Sequence, residues 1–237
     1  MFEAIFSIEG LISLLTLTIL EIVLGIDNLI FISIVAGKLP KEAQQKTRTI
    51  GLMLALIIRI LLLFAISWLI KLNQPLFTLF DFAATWRDII LFAGGVFLLA
   101  SSTTEMHNKV SGAEEKQTDS KKKISVQSAI IQIVLLDIVF SFDSILTAVG
   151  LTGELLIMIL AIVVSLVIMI VFSQNVSDFV NKHPTVKVLA LSFLMMIGML
   201  LVFDAFHIHV PKGYVYFSLA FSLFVEFLNL RIRNKEK

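Results

Sequence analysis

A chain of 237 residues with 58% apolar residues, 20 Phe, a mean hydropathy of +0.96 and only 16% charged residues is far from the composition of a soluble domain, in which about a quarter of residues are charged. A net charge of +1 without a long exposed basic tract excludes nucleic acid as a partner, and the absence of cysteine excludes disulfides, thiolate metal sites and thiol catalysis. Most of the chain is therefore expected to sit in a lipid bilayer, and any metal it binds must use oxygen or imidazole ligands.

Glu3 and Glu9 precede the first apolar run and no basic segment does, so that run is expected to stay in the mature protein rather than be cleaved as a signal peptide. A spanning helix needs about 20 mainly apolar residues. Seven are predicted, at about 10–35, 49–71, 87–104, 127–150, 153–174, 186–206 and 213–230. The third and seventh are short for a full crossing, and the fourth and fifth are joined tightly through Leu151-Thr152-Gly153. Lys and Arg favour cytoplasmic loops. Taking alternate loops, fifteen lie on one side, among them Lys38, Lys41, Lys121 to Lys123, Lys182 and Arg231, against Lys71, Arg87 and Lys212 on the other. That asymmetry puts the N-terminus outside and the C-terminus in the cytoplasm, and leaves Arg59 as the one basic residue within a span.

The hydrophilic stretch from Thr104 to Ser125 mixes both signs of charge with Ser and Gly and reads as a cytoplasmic linker. The expected organisation is a first three-helix unit over 1–104, a linker over 105–126, a second three-helix unit over 127–209, and a seventh helix with a basic tail over 210–237. A three-span unit reverses its direction in the membrane when it is duplicated. Two inverted three-helix repeats plus one C-terminal helix is therefore the predicted all-α fold, a plan that places transporter sites near the midplane where the repeats meet.

A duplicated motif supports that division. Leu20-Glu21-Ile22-Val23-Leu24-Gly25-Ile26-Asp27-Asn28 returns 116 residues later as Leu136-Asp137-Ile138-Val139-Phe140-Ser141-Phe142-Asp143-Ser144. Gly95 and Gly198 suggest a correspondence between the third spans. An acid at the middle of a spanning helix costs about 2.5–3.5 kcal/mol on insertion scales, so four of them must face one another, a cation or water. At 3.6 residues per turn, Glu21, Gly25 and Asn28 share one stripe, as do Asp137, Ser141 and Ser144, and the small residues at 25 and 141 would let helices approach. Asp27 and Asp143 fall about 100° from those stripes. Joining the same cage requires a local unwinding, a rotation or an adjacent partner; Gly25 makes a break plausible in the first helix, and Ser141 argues less strongly for one in the second.

The resulting donor set is hard: carboxylates of Glu21, Asp27, Asp137 and Asp143, the Asn28 amide and the Ser144 hydroxyl, with Arg59 available to offset excess negative charge. Oxygen-only cages suit Mg²⁺, Ca²⁺ or Mn²⁺. No phosphate loop, nucleophile elbow or His-Glu-x-x-His pattern accompanies these residues, so an enzyme is not expected. Asp204, His207 and His209 read as an interfacial polar cluster, Glu105 and His107 as solvated or capping groups, and Glu226 as a partner of Arg231 and Arg233.

These two motifs, with His183-Pro184 and the ending His209-Val210-Pro211-Lys212-Gly213-Tyr214, resemble the TerC family of integral membrane proteins over nearly the whole chain. The resemblance implies a relative of the LysE-like transporters built from two inverted three-helix repeats, metal coordination by Glu21, Asp27, Asn28, Asp137, Asp143 and Ser144, and manganese as the cation exported. Larger relatives append soluble C-terminal domains, which this chain is expected to lack. A bacterial inner-membrane secondary transporter for Mn²⁺ or a similar divalent cation is the expectation. Its alternative is a membrane scaffold or assembly factor whose buried acids are structural. The partners expected are the bilayer and the cation, and an oligomer is compatible with the sequence.

Overall fold

The structure is a computed structural model that describes residues 7–65, 75–79, 82–111, 125–152 and 154–235. Its helices are α1 (Ile8–Ala36), α2 (Lys41–Phe64), α3 (Trp86–Val110), α4 (Val126–Leu151), α5 (Leu155–Lys182), α6 (Pro184–Ala205) and α7 (Lys212–Lys235), and two short strands, β1 (Pro75–Leu79) and β2 (Phe82–Thr85), lie between α2 and α3. The chain is an all-α polytopic membrane protein in every other respect.

The helix starts follow from local chemistry. Ser7 caps α1 by accepting from the Gly10 amide at 3.0 Å, and Ser125 caps α4 by accepting from the Ser128 amide at 3.1 Å, so the two motif helices begin alike. Pro184 opens α6 at a position where its missing N–H costs nothing. Thr152, in extended backbone, ends α4, and its hydroxyl accepts from the Glu154 amide within the tight connection to α5.

Two expectations need correction, and one element was not expected. The third and seventh helices are not short: α3 spans 25 residues and α7 spans 24. Apolar composition underreports α3 because its last turns carry polar residues that are buried, Ser102 and Glu105, rather than solvated. The connection between α2 and α3 includes an antiparallel hairpin, with Thr78 opposite Ala83 and a bulge after Pro75. Strands this short, one starting at Pro75 and the other with Ala83 and Ala84 at its middle, leave no alternating pattern to read. The unwinding expected at Gly25 does not occur: α1 runs unbroken through residues 8–36 and α4 through 126–151.

The chain forms two compact units, one of Met1–Arg87 with Lys122–Phe179 and one of Asp88–Lys121 with Val180–Lys237. In the first, α1, α2 and α4 pack on one another. Gly51 and Ala55 give α2 a small-residue face, and a Cβ at Gly51 would stand 2.9 Å from Ile133 Cγ2 on α4, so this glycine sets how closely the two helices approach. Gly25 instead faces α5, where Met169 Sδ would lie 2.5 Å from an added Cβ. The core of the unit is built from side chains such as Leu17, Phe31, Leu63, Ile133 and Leu136, while Leu15, Ile57, Leu61, Val171 and Phe172 are exposed as a lipid-facing surface would require.

In the second unit α3 and α6 cross at a pair of glycines. A Cβ at Gly95 would come within 2.7 Å of the Gly198 carbonyl oxygen and 2.9 Å of Val202, and one at Gly198 within 3.0 Å of the Gly95 carbonyl oxygen and of Leu99. Each glycine thus meets the other and the residue one turn beyond it, a reciprocal contact with no room for a side chain. α7 is the least buried of this unit's helices and carries an outward row including Phe217, Phe221 and Phe224.

Val at either Gly95 or Gly198 must push backbone rather than a flexible side chain, and overpacking of this kind costs about 1–3 kcal/mol. Gly95→Val and Gly198→Val are therefore expected to lower the melting temperature of the detergent-purified protein, whereas Gly213→Ala, which meets nothing within 4 Å, leaves it unchanged.

Candidate functional site

The acids of the two motifs meet on Arg59. All the residues concerned belong to the first unit, and three helices deliver them: α1 brings Glu21 and Asn28, α2 brings Arg59, and α4 brings Asp137, Ser141 and Ser144. Arg59 follows Gly51 and Ala55 on the face of α2 that packs on α4, which is why its side chain enters the bundle rather than lipid. The guanidinium, 4% exposed, donates from Nη1 to Glu21 Oε2 at 2.6 Å and from Nη2 to Asp137 Oδ1 at 2.6 Å, while Nε lies 3.1 and 3.2 Å from the two Asp137 oxygens. This is the fork geometry that suits arginine to carboxylates.

Asp137 accepts two further bonds. Asn28 Nδ2 donates to Oδ1 at 3.3 Å, and Ser141 Oγ, fully buried one turn along α4, donates to Oδ2 at 3.1 Å. Ser144 is buried beside them and donates to the Ser141 carbonyl at 3.3 Å. Two acceptors in the cluster have no hydrogen-bond partner among the described residues: Glu21 Oε1 and Asn28 Oδ1, on side chains 2% and 5% exposed. With both carboxylates ionised, two acids against one guanidinium leave these three groups one negative charge in excess.

Of the six residues expected to ligate a cation, the structure thus brings Glu21, Asn28, Asp137 and Ser144 into one buried cluster. Asp27 and Asp143 lie on the same unbroken helices, but their side chains lie outside the described residues. Among the described residues, no group of three or more acidic, His or Cys side chains is gathered as a ligand set. Arg59 does more than offset charge from a distance. It touches both acids directly, at 2.6 Å to each.

Other polar groups depart from the sequence reading. Arg48, counted there among loop residues, is buried: Nη1 donates to Ser177 Oγ at 2.8 Å and Nη2 donates to Gln174 Oε1, while Gln174 Nε2 donates in turn to Asp178 at 2.8 and 2.9 Å. The missed signal was its spacing, since eleven residues from Arg48 to Arg59 is three helical turns and puts both on one face. In the second unit Glu105, expected to be solvated, is buried and 3.4 Å from Lys187 Nζ on α6. Glu226 accepts from Thr185 Oγ1, while the Arg233 side chain of its expected pairing lies outside the described residues. His207, held at a positive φ of 61°, lies 3.1 Å from Asp88, and His209 lies 3.2 Å from Asp204.

Known proteins extend this picture. The family described as "Integral membrane protein TerC family" matches residues 6–237. The chain is 47% identical over all 237 residues to a UPF0053 protein of Haemophilus influenzae, covering the whole of both chains. It is 49% identical over 222 residues to the UPF0053 inner membrane protein YgdQ of Escherichia coli, covering 93% of this chain and 92% of that one. A third relative, the UPF0053 inner membrane protein YoaE of Escherichia coli, is 48% identical over 216 residues, which are 91% of this chain and 42% of that longer one. No solved structure matches.

Asp137 is held by Arg59, Asn28 and Ser141, and Glu21 by Arg59 and Ser144, so their removal should differ in consequence. Breaking a buried pair by neutralising one member costs about 3–5 kcal/mol. Asp137→Asn is expected to fall in that range in detergent unfolding assays and Glu21→Gln to cost clearly less. An equal or reversed order would show that the hydrogen-bond pattern does not carry the stability.

Proposed function

This chain belongs to the TerC family of integral membrane proteins, and from that premise we propose that it is an inner-membrane secondary transporter that exports a divalent cation through the cluster of Glu21, Asn28, Asp137 and Ser144, joined by Asp27 and Asp143. The observation that carries the reading is the pair of orphaned acceptors, Glu21 Oε1 and Asn28 Oδ1, buried beside Asp137. A buried oxygen without a donor costs about 1–3 kcal/mol. In a cluster of oxygens that cost is recovered when a cation arrives.

The donor set contains no sulfur and no imidazole, which fits Mg²⁺, Ca²⁺ and Mn²⁺ and disfavours zinc and copper. Manganese is the choice among the three that the family resemblance supplies, and export is its direction. Inverted repeats are supported by the echoed motif, by the matching Ser caps of α1 and α4, and by the reciprocal contact of Gly95 with Gly198. Asp27 precedes Gly95 by 68 residues and Asp143 precedes Gly198 by 55, and the β1–β2 hairpin lies within the longer interval. The basic-residue asymmetry supports an outer N-terminus and a cytoplasmic C-terminus. Related proteins named as inner membrane proteins support that location. The sequence carries no catalytic pattern, so transport rather than chemistry on a substrate is the activity proposed.

One observation favours a second reading. Arg59 satisfies the acids well enough for them to be a structural lock, as a scaffold would need. Proteoliposomes loaded with a metal-sensitive dye separate the two. Transport predicts Mn²⁺ flux in the native protein and its loss in Asp27→Asn and Asp143→Asn. No flux, with melting that ignores Mn²⁺ and collapses in the acid-to-amide variants, is the result a scaffold gives.

A further inference from the structure

Within the transporter reading, on which this inference rests, we propose that Arg59 is a tethered cation that the substrate must displace, and that this competition makes it the residue selecting divalent over monovalent ions. The guanidinium sits where a cation bridging Glu21 and Asp137 would sit. Glu21 Oε2 and Asp137 Oδ1 are each 2.6 Å from a guanidinium nitrogen, and Asp137 Oδ2 is shared between Arg59 Nε and Ser141 Oγ. A hard divalent cation gathers several oxygens at about 2.0–2.6 Å. It cannot use these lone pairs while the guanidinium holds them.

The orphaned oxygens give the incoming ion its first hold. Glu21 Oε1 and Asn28 Oδ1 are acceptors that Arg59 does not use, on the same two α1 side chains that already touch Arg59 and Asp137. An ion that lands there stands next to a fixed positive charge, and arginine does not relieve the repulsion by losing a proton. Relief comes only when the guanidinium leaves the carboxylates.

The charge balance then selects the ion. A monovalent cation replacing the guanidinium brings the same charge while forfeiting the forked hydrogen bonds, so the exchange gains nothing. A divalent cation brings one charge more to a cluster with one negative charge in excess. Arg59 stands on the face of α2 that packs on α4 through Gly51 and Ala55, so displacement acts on the contact between those helices. Loading and helix movement are thereby joined at one side chain.

Mn²⁺ binding to detergent-purified protein, read from the electron paramagnetic resonance of the free ion, tests this at equal ionic strength in choline chloride and in NaCl. In native protein the affinity is expected to be the same in the two salts. In Arg59→Gln it is expected to be about tenfold tighter or more in choline chloride and to fall back in NaCl, with Arg59→Lys, whose shorter side chain lacks the fork, lying between. Should Arg59→Gln fold only when Mn²⁺ is present during purification, the metal has replaced the guanidinium as counter-charge and the proposal stands. Should it not fold at all, the comparison of Arg59→Lys with native protein decides by the same criterion. Mn²⁺ binding in native protein that is unchanged or weaker in the variants overturns the role of Arg59 and leaves the transporter reading intact. No Mn²⁺ binding in any of the three proteins overturns both.

Discussion

Two carboxylates and one guanidinium, buried together among apolar helices, constrain everything else in the first unit. None of the three tolerates that environment alone, and both acids are held by the one guanidinium: Arg59 spans Glu21 on α1 and Asp137 on α4 at 2.6 Å to each. The requirement reaches outward from there. α2 must approach α4 closely enough for a side chain of finite length to bridge, which the missing side chain at Gly51 allows. Ser141 and Asn28 must be present to complete the hydrogen bonding of Asp137. Two buried oxygens of the cluster, Glu21 Oε1 and Asn28 Oδ1, are left without a hydrogen-bond donor among the described residues.

The second unit solves a different problem with different means. It has no buried ion triad among the described residues, and α3 and α6 instead meet through backbone at Gly95 and Gly198. Without a hydrophobic force between helices in lipid, close van der Waals contact is the available source of association, and small residues are what permit it. The buried Glu105 beside Lys187 adds a charged contact between the same two helices. The motif helices α1 and α4 thus carry the buried polar cluster, and α3 and α6 carry the close backbone contact.

Much of this was legible in the residues. Long apolar runs reveal helices because a bilayer permits no other open structure, so all seven were found and their ends erred mainly where polar residues are buried, as at Ser102 and Glu105. The echo of Glu21 to Asn28 at Asp137 to Ser144 identified four of the side chains in the cluster, since an acid in a spanning helix must have a partner. What pattern could not supply was which partner. Arg59 was visible as the one basic residue in a span, yet its direct contact with both acids depends on the approach of α2 to α4, a tertiary fact. The same limit hid Arg48, whose position near a helix start looks like a loop charge until Gln174 and Ser177 of α5 are placed against it. A break at Gly25 was expected because glycine permits one. The helix is continuous, and that glycine makes room for Met169 of α5.

The central claim is that the buried oxygens of the two motifs are a cation site. Anomalous diffraction from crystals of the protein soaked in Mn²⁺ tests it most directly, because it reports the ion's position and its ligands together. The account predicts one internal peak bounded by Glu21, Asn28 and Asp137, with the Arg59 guanidinium withdrawn from both carboxylates. An ordered triad of Arg59, Glu21 and Asp137 unchanged in Mn²⁺, with anomalous signal only at the protein surface, would contradict it.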